Sequence, residues 1–153
     1  MLERFWGFHA EWERAIRSHV VGGVFEPRSR TPLLAHDLLA LGRTPAQIER
    51  LARCEAARVL ARSRETAFGS LYVMEGSALG GRVVTGALKG AEWLPSGGLR
   101  YFDPYGAETG VMWRTFQGAL RAASSAASDA AIVQGAVDTF DLLHRWLLPE
   151  PCA

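Results

Sequence analysis

Cysteine is nearly absent from this 153-residue chain, and the two residues present, Cys54 and Cys152, form no paired pattern and no CxxC. A disulfide framework and a cysteine-based metal site are thereby excluded as organising features, and reduced thiols in a cytoplasmic setting are expected. No apolar run reaches the roughly 20 residues that span a bilayer, and the start Met1–Trp6 has no basic region followed by an apolar stretch. Membrane insertion and secretion are not expected. Charge of one sign is also lacking: 17 Lys and Arg stand against 16 Asp and Glu, a formal charge of +1. With no summed field to attract a polyanion, nucleic acid is not an expected partner. Sustained apolar–polar alternation and internal repeats are missing too, which argues against sheets and solenoids.

What remains is helical spacing in a chain of single-domain size, expected to form one domain over 1–153. Phe5, Phe8, Trp12 and Ile16 recur at three- and four-residue steps, with Glu11, Glu13, Arg14 and Arg17 between them, so the spacing predicts an amphipathic helix over 2–19. A loop containing Gly22, Gly23 and Pro27 follows. Thr31-Pro32 supplies a cap and a first-turn proline for a short helix that Gly42 stops. Thr44-Pro45 repeats the signal, with a weaker pattern running towards Leu60. Pro95, Gly97 and Gly98 mark a loop between 91 and 100, leading into the turn-rich aromatic strip Tyr101–Gly106. Two further helices are expected around Val111–Leu120 and Val133–Leu147. The fold class is all-α, a helical bundle.

The most unusual stretch lies between Glu65 and Leu88. It is apolar yet holds Gly69, Gly76, Gly80, Gly81 and Gly86. Each glycine inside a helix costs about 1 kcal/mol relative to alanine. A helix here must recover that through close backbone approach, either to another helix or to a ligand.

Within that stretch Leu71-Tyr72-Val73-Met74-Glu75-Gly76-Ser77-Ala78-Leu79-Gly80-Gly81 resembles the distal helix of bacterial heme oxygenases, especially those associated with bacteriophytochromes. Pro32-Leu33-Leu34, Asp37-Leu38, Leu41-Gly42, Tyr101-Phe102, Tyr105-Gly106, Trp113 with Phe116, and Thr139-Phe140 with Trp146 fall in the same family's order.

The resemblance implies a heme oxygenase-like bundle, with heme as both substrate and cofactor and an external electron donor, opening the ring to biliverdin, iron and carbon monoxide. It gives Gly76, Gly80 and Gly81 the catalytic role of letting backbone and ordered water approach the iron. It gives Tyr72, Ser77, Arg82, Phe140 and Arg145 to heme binding, the arginines as partners for heme carboxylates. Tyr101, Phe102, Tyr105, Trp113 and Phe116 either wall a flat ligand or pack the core.

In the family the proximal histidine sits on a helix preceding the region that Phe5–Glu13 resembles, so that helix is expected to be missing here. The metal ligand is left unassigned among His9, His19, His36 and His144. A bundle short of one wall exposes apolar surface, which implies a homodimer. The alternative is a non-catalytic heme- or tetrapyrrole-binding or interaction module that has lost the proximal ligand.

Overall fold

The computed structural model describes residues 1–20, 23–88, 90–95 and 99–148. Gly22, Gly97, Gly98 and Cys152, named above, lie outside the described residues. Among the described residues six α-helices carry the fold: α1 (Leu2–His19), α2 (Thr31–Ala40), α3 (Pro45–Glu49), α4 (Arg64–Ala87), α5 (Thr109–Ala123) and α6 (Asp129–Leu147). Short 3-10 turns occupy Glu26–Arg28, Glu55–Leu60 and Gly106–Glu108. No strand occurs among the described residues, so the architecture is the expected all-α one.

Helix α1 runs through the centre. Phe8, Trp12 and Ile16 are fully buried, in one core with Phe25, Phe68, Leu71, Met74 and Phe116. Trp6 belongs to a second core with Leu34, Leu38, Ile48 and Tyr101. Both sides of α1 are therefore covered, and Glu11 and Glu13, which the spacing places on a solvated face, are buried instead. Exposed side chains on α1 are confined to Arg14, Arg17 and Ser18 towards its C-terminal end, so the buried carboxylates must find partners inside.

Glu13 does so by capping α2. Its carboxylate accepts from the backbone N–H of Arg30 (2.6 Å) and of Thr31 (2.9 Å), and from the Ser29 hydroxyl (2.6 Å). Thr31 is consequently the first residue of α2 rather than its cap, and the two free N–H groups at the helix start are satisfied by a carboxylate from α1, which also suits the helix dipole. The second start signal is made locally: Thr44 and Gln47 form a reciprocal capping box. The helix it opens is shorter than its pattern suggests, ending at Glu49, with a 3-10 turn replacing it from Glu55 to Leu60.

The glycine-rich stretch is one unbroken 24-residue helix, opened by a Ser63–Thr66 capping box. Gly69 of α4 and Gly135 of α6 make the crossing of these helices possible. A Cβ at Gly69 would overlap the carbonyl of Ile132, and one at Gly135 would overlap the backbone of Thr66. The segment after α4 is tied back by Asp37, which is fully buried and accepts from the backbone N–H groups of Arg100 and Tyr101, each at 2.9 Å. No described helix is long and apolar enough to cross a membrane.

Candidate functional site

Three cavities merge along the outer side of α4, each lined in part by Phe5 of α1. The largest, about 560 Å³, is wholly apolar in character and lies among Phe5, Val84, Phe102, Phe140, Leu143 and His144. The second, about 380 Å³, adds Tyr72, Gly76 and Ser77. The third, about 160 Å³, reaches inward past Gly80 to Arg30 and Tyr101. Together they form a cleft walled by α4 on one side and α6 on another, within the size range of small-molecule sites. A separate cavity of about 520 Å³ lies beyond Phe102, between Leu38, Leu41 and Trp93. Of the residues expected at the site it carries Phe102 alone, and none of those the resemblance gives to catalysis or heme binding.

The α4 glycines divide into two kinds. Gly69 and Gly81 are demanded by packing, since a Cβ at Gly81 would overlap the carbonyl oxygen of Phe102. Gly76, Gly80 and Gly86 have nothing within 4 Å of where a Cβ would stand, and of these Gly76 and Gly80 line the cleft. Nothing in the fold offsets the cost of glycine at these two positions, and both face the cleft. Their bare backbone is a floor that only an occupant of the cleft would use.

Of the other expected site residues, Tyr72 is half-exposed on the cleft wall, its ring 5.7 Å from that of Trp113. Ser77 lines the cleft and donates its hydroxyl to the carbonyl of Met74 at 2.7 Å. Phe140 is exposed at the opposite wall. Arg82 and Arg145 are exposed, and neither lines any of the three cavities. Two positions after Gly80, Arg82 lies roughly 200° around the helix from it, on a different face.

Among the five aromatics that were to wall a ligand or pack the core, Tyr101 and Phe102 border the cleft and Phe116 is fully buried core. Of the histidines, only His144 lines the cleft. His9 is buried, its Nε2 3.2 Å from the Tyr101 hydroxyl and its Nδ1 3.6 Å from Glu13. His36 stands 3.3 Å from Asp37 on α2. Among the described residues no group of three or more His, Cys, Asp or Glu could hold a metal ion.

Behind the glycine floor lies a buried polar network that sequence spacing did not reveal. Glu75 of α4 accepts from Arg28 Nε at 3.1 Å, from Arg30 Nη2 at 3.2 Å and from the Tyr105 hydroxyl at 2.6 Å. All three charged side chains are almost wholly buried. Burial drives the Tyr105 phenol above its ordinary range, with the Glu75 carboxylate adding to the shift. Burial likewise holds His9 below its ordinary range against the pull of Glu13, which leaves it a neutral imidazole near neutral pH. The available signal in the sequence was the pair of arginines at 28 and 30 preceding Pro32, together with a lone glutamate in an apolar helix. No local rule joins residues so far apart.

Burial alone pushes the Glu13 carboxyl up, but contact with His9 and hydrogen bonds from Ser29 and the Arg30 backbone outweigh it, bringing the pKa from 4.5 to about 2. A carboxyl whose folded pKa is depressed contributes stability above its unfolded pKa and loses it on acidification. Unfolding free energy followed by urea titration should therefore fall through Glu13 as pH drops from 4.5 towards 2. Glu13→Gln should be less stable at neutral pH and flatter across that window. An equally steep acid loss in that variant would assign the effect elsewhere.

Comparison with known proteins adds the following. Residues 1–148 match the family model described as heme oxygenase. A heme oxygenase of Xanthomonas campestris pv. campestris (strain 8004) is 36% identical over 133 residues, covering 86% of this chain and 74% of that protein. No solved structure matches the chain.

Proposed function

Because the chain belongs to the heme oxygenase family, we propose that the cleft between α4 and α6 takes heme and that the protein opens its ring to biliverdin, iron and carbon monoxide. The observation that carries this reading is the pair Gly76 and Gly80, whose missing side chains leave open space on the apolar cleft and serve no packing purpose. Residues and ligand fit: the lining is apolar, the floor is bare backbone, and His144 is the imidazole standing in the cleft. When bound, heme supplies an iron centre for dioxygen activation and is itself the molecule consumed.

The chain's own groups then bind, orient and exclude water. Phe5, Tyr72, Phe140 and Leu143 line the cleft and would pack against a flat apolar ligand and exclude water from it. Gly76 and Gly80 admit the ligand to within contact of the α4 backbone. Ser77 spends its hydroxyl proton on the Met74 carbonyl, so its oxygen is left as an acceptor towards the cleft. Arg145, exposed on α6 next to His144, would supply a cation for a heme carboxylate.

An external electron donor belongs to the same reading, since ring opening consumes electrons. So do the bacteriophytochrome-associated type, which rests on the Leu71–Gly81 motif, and a cytoplasmic location, supported by the free and buried Cys54. A homodimer is part of it too, supported by Val133 and Val137, exposed one turn apart on α6.

The test is an absorption titration with hemin, followed by ascorbate under air. A defined Soret band that decays to a biliverdin absorption is expected. Gly80→Leu should weaken hemin binding at least tenfold while its circular dichroism and melting stay those of the parent, because the leucine enters open space. Hemin spectra identical to those of free hemin would refute the assignment.

A further inference from the structure

The chain has four histidines, and the cleft separates one of them from the rest. His9 is buried behind Tyr101, its Nε2 3.2 Å from the Tyr101 hydroxyl and its Nδ1 3.6 Å from Glu13. His36 stands 3.3 Å from Asp37, and His19 closes α1. None of these three lines a cavity of the cleft. His144 does, and among the described residues its ring enters no contact of the kind that engages His9 and His36.

The backbone that carries His144 is fixed on both sides. Towards the helix crossing, Thr139 Oγ1 stands 2.7 Å from Ser70 Oγ of α4. Beyond it, Trp146 donates from Nε1 to the Arg4 carbonyl at 2.7 Å, and the Arg4 guanidinium lies 4.6 Å from the centre of the same ring system. At a rise of about 1.5 Å per residue, Gly80 lies about 16 Å along α4 from Gly69, and His144 about 14 Å along α6 from Gly135, the two glycines of the crossing. Both helices run from the crossing to the same cleft, since Gly76 and Phe140 line one cavity. Phe140, Leu143, His144 and Leu147 follow at three- and four-residue steps, so one face of α6 turns this imidazole to the apolar space.

The other candidate donors in the cleft are poorer. Burial pushes the Tyr101 phenol far above its ordinary range, and its hydroxyl already meets His9. Met74 offers only a thioether. A neutral imidazole offers iron a nitrogen lone pair, the donor most often used by proteins that hold heme. We propose that His144 is the axial ligand of the iron when heme occupies the cleft. The ligand then comes from the last helix and not from a helix ahead of Phe5–Glu13, where the resemblance puts it. This inference rests on the reading of the cleft as a heme site.

The experiment uses the full chain loaded with hemin, reduced under exclusion of oxygen and read by resonance Raman spectroscopy. The parent should show an iron–histidine stretching band. His144→Ala should lose that band while binding hemin about tenfold more weakly, because the apolar lining remains, and added imidazole should restore an iron–imidazole band. His36→Ala, away from the cleft, should change neither band nor affinity. A merely structural role for His144 would weaken hemin binding without loss of the band. A parent that binds hemin without the band, or a band kept in His144→Ala, would overturn the assignment and leave the heme site standing. His144 is exposed, so the alanine variant should fold; should it not, His144→Gln decides by the same criterion. If the parent itself does not bind hemin, the heme site and this inference fall together.

Discussion

Gly81→Ala is expected to destabilise the protein by about 3 kcal/mol or more, whereas Gly80→Ala, one residue earlier, should be neutral or slightly stabilising. A methyl group at position 81 would overlap the carbonyl oxygen of Phe102, and the overlapping atom is backbone rather than the end of a flexible side chain. Relief requires Phe102 to withdraw, and it is held in place. Asp37 binds the N–H groups of Arg100 and Tyr101, Leu99 takes a left-handed φ of 65°, and Tyr101 is packed against Phe5 with ring centres 4.9 Å apart. At position 80 the methyl meets open space and gains the usual helix preference of alanine, up to about 1 kcal/mol. Urea unfolding of the two variants checks this. If Gly81→Ala unfolds within about 0.5 kcal/mol of the parent, the packing assignment of Gly81 is wrong. Gly81 and Gly80 thus serve different ends: one lets α4 sit against the chain that borders the cleft, the other leaves the cleft open.

Glu75→Ala is expected to cost about 3–5 kcal/mol, because it leaves two guanidinium groups, of Arg28 and Arg30, buried without the carboxylate between them. In a chain of this length that corresponds to a fall of roughly 10 °C in Tm. The cost comes from the orphaned cations rather than from the lost attraction as such. Replacing all three members by apolar residues of similar volume should therefore be far less harmful than removing the glutamate alone. Tyr105→Phe removes the 2.6 Å hydrogen bond to Glu75 and the long 3.5 Å one from Arg30, and should cost about 1–2 kcal/mol. Thermal melting of the single variants and of the Glu75→Ala/Tyr105→Phe pair checks this, since the loss from Tyr105→Phe should largely vanish once Glu75 is gone. Full additivity would show that the two groups do not act together. The expected functional consequence is local: Glu75 immediately precedes Gly76, so the network that anchors α4 also sets where the glycine floor begins.

The sequence by itself determined the helical class, most helix positions and the family. Each of these is written in short-range terms: three- and four-residue apolar spacing, capping residues such as Thr44 with Gln47, glycine and proline stops, and one contiguous motif from Leu71 to Gly81. It also singled out the helix that forms the cleft floor. Tertiary structure alone decided which glycines of that helix serve packing and which serve the cleft, because the distinction depends on what stands opposite each one, Phe102 or Ile132 in one case and open space in the other. It also decided that Glu11 and Glu13 are buried, since the part of α1 that carries them is packed against both cores and only Arg14, Arg17 and Ser18 of that helix are exposed. Arg82 lost its place on the cleft through helical geometry, and Arg30 gained one through a network joining residues 28, 30, 75 and 105. Such networks leave no periodic trace in the chain, because their members are brought together by the crossing of helices and not by spacing along any one of them.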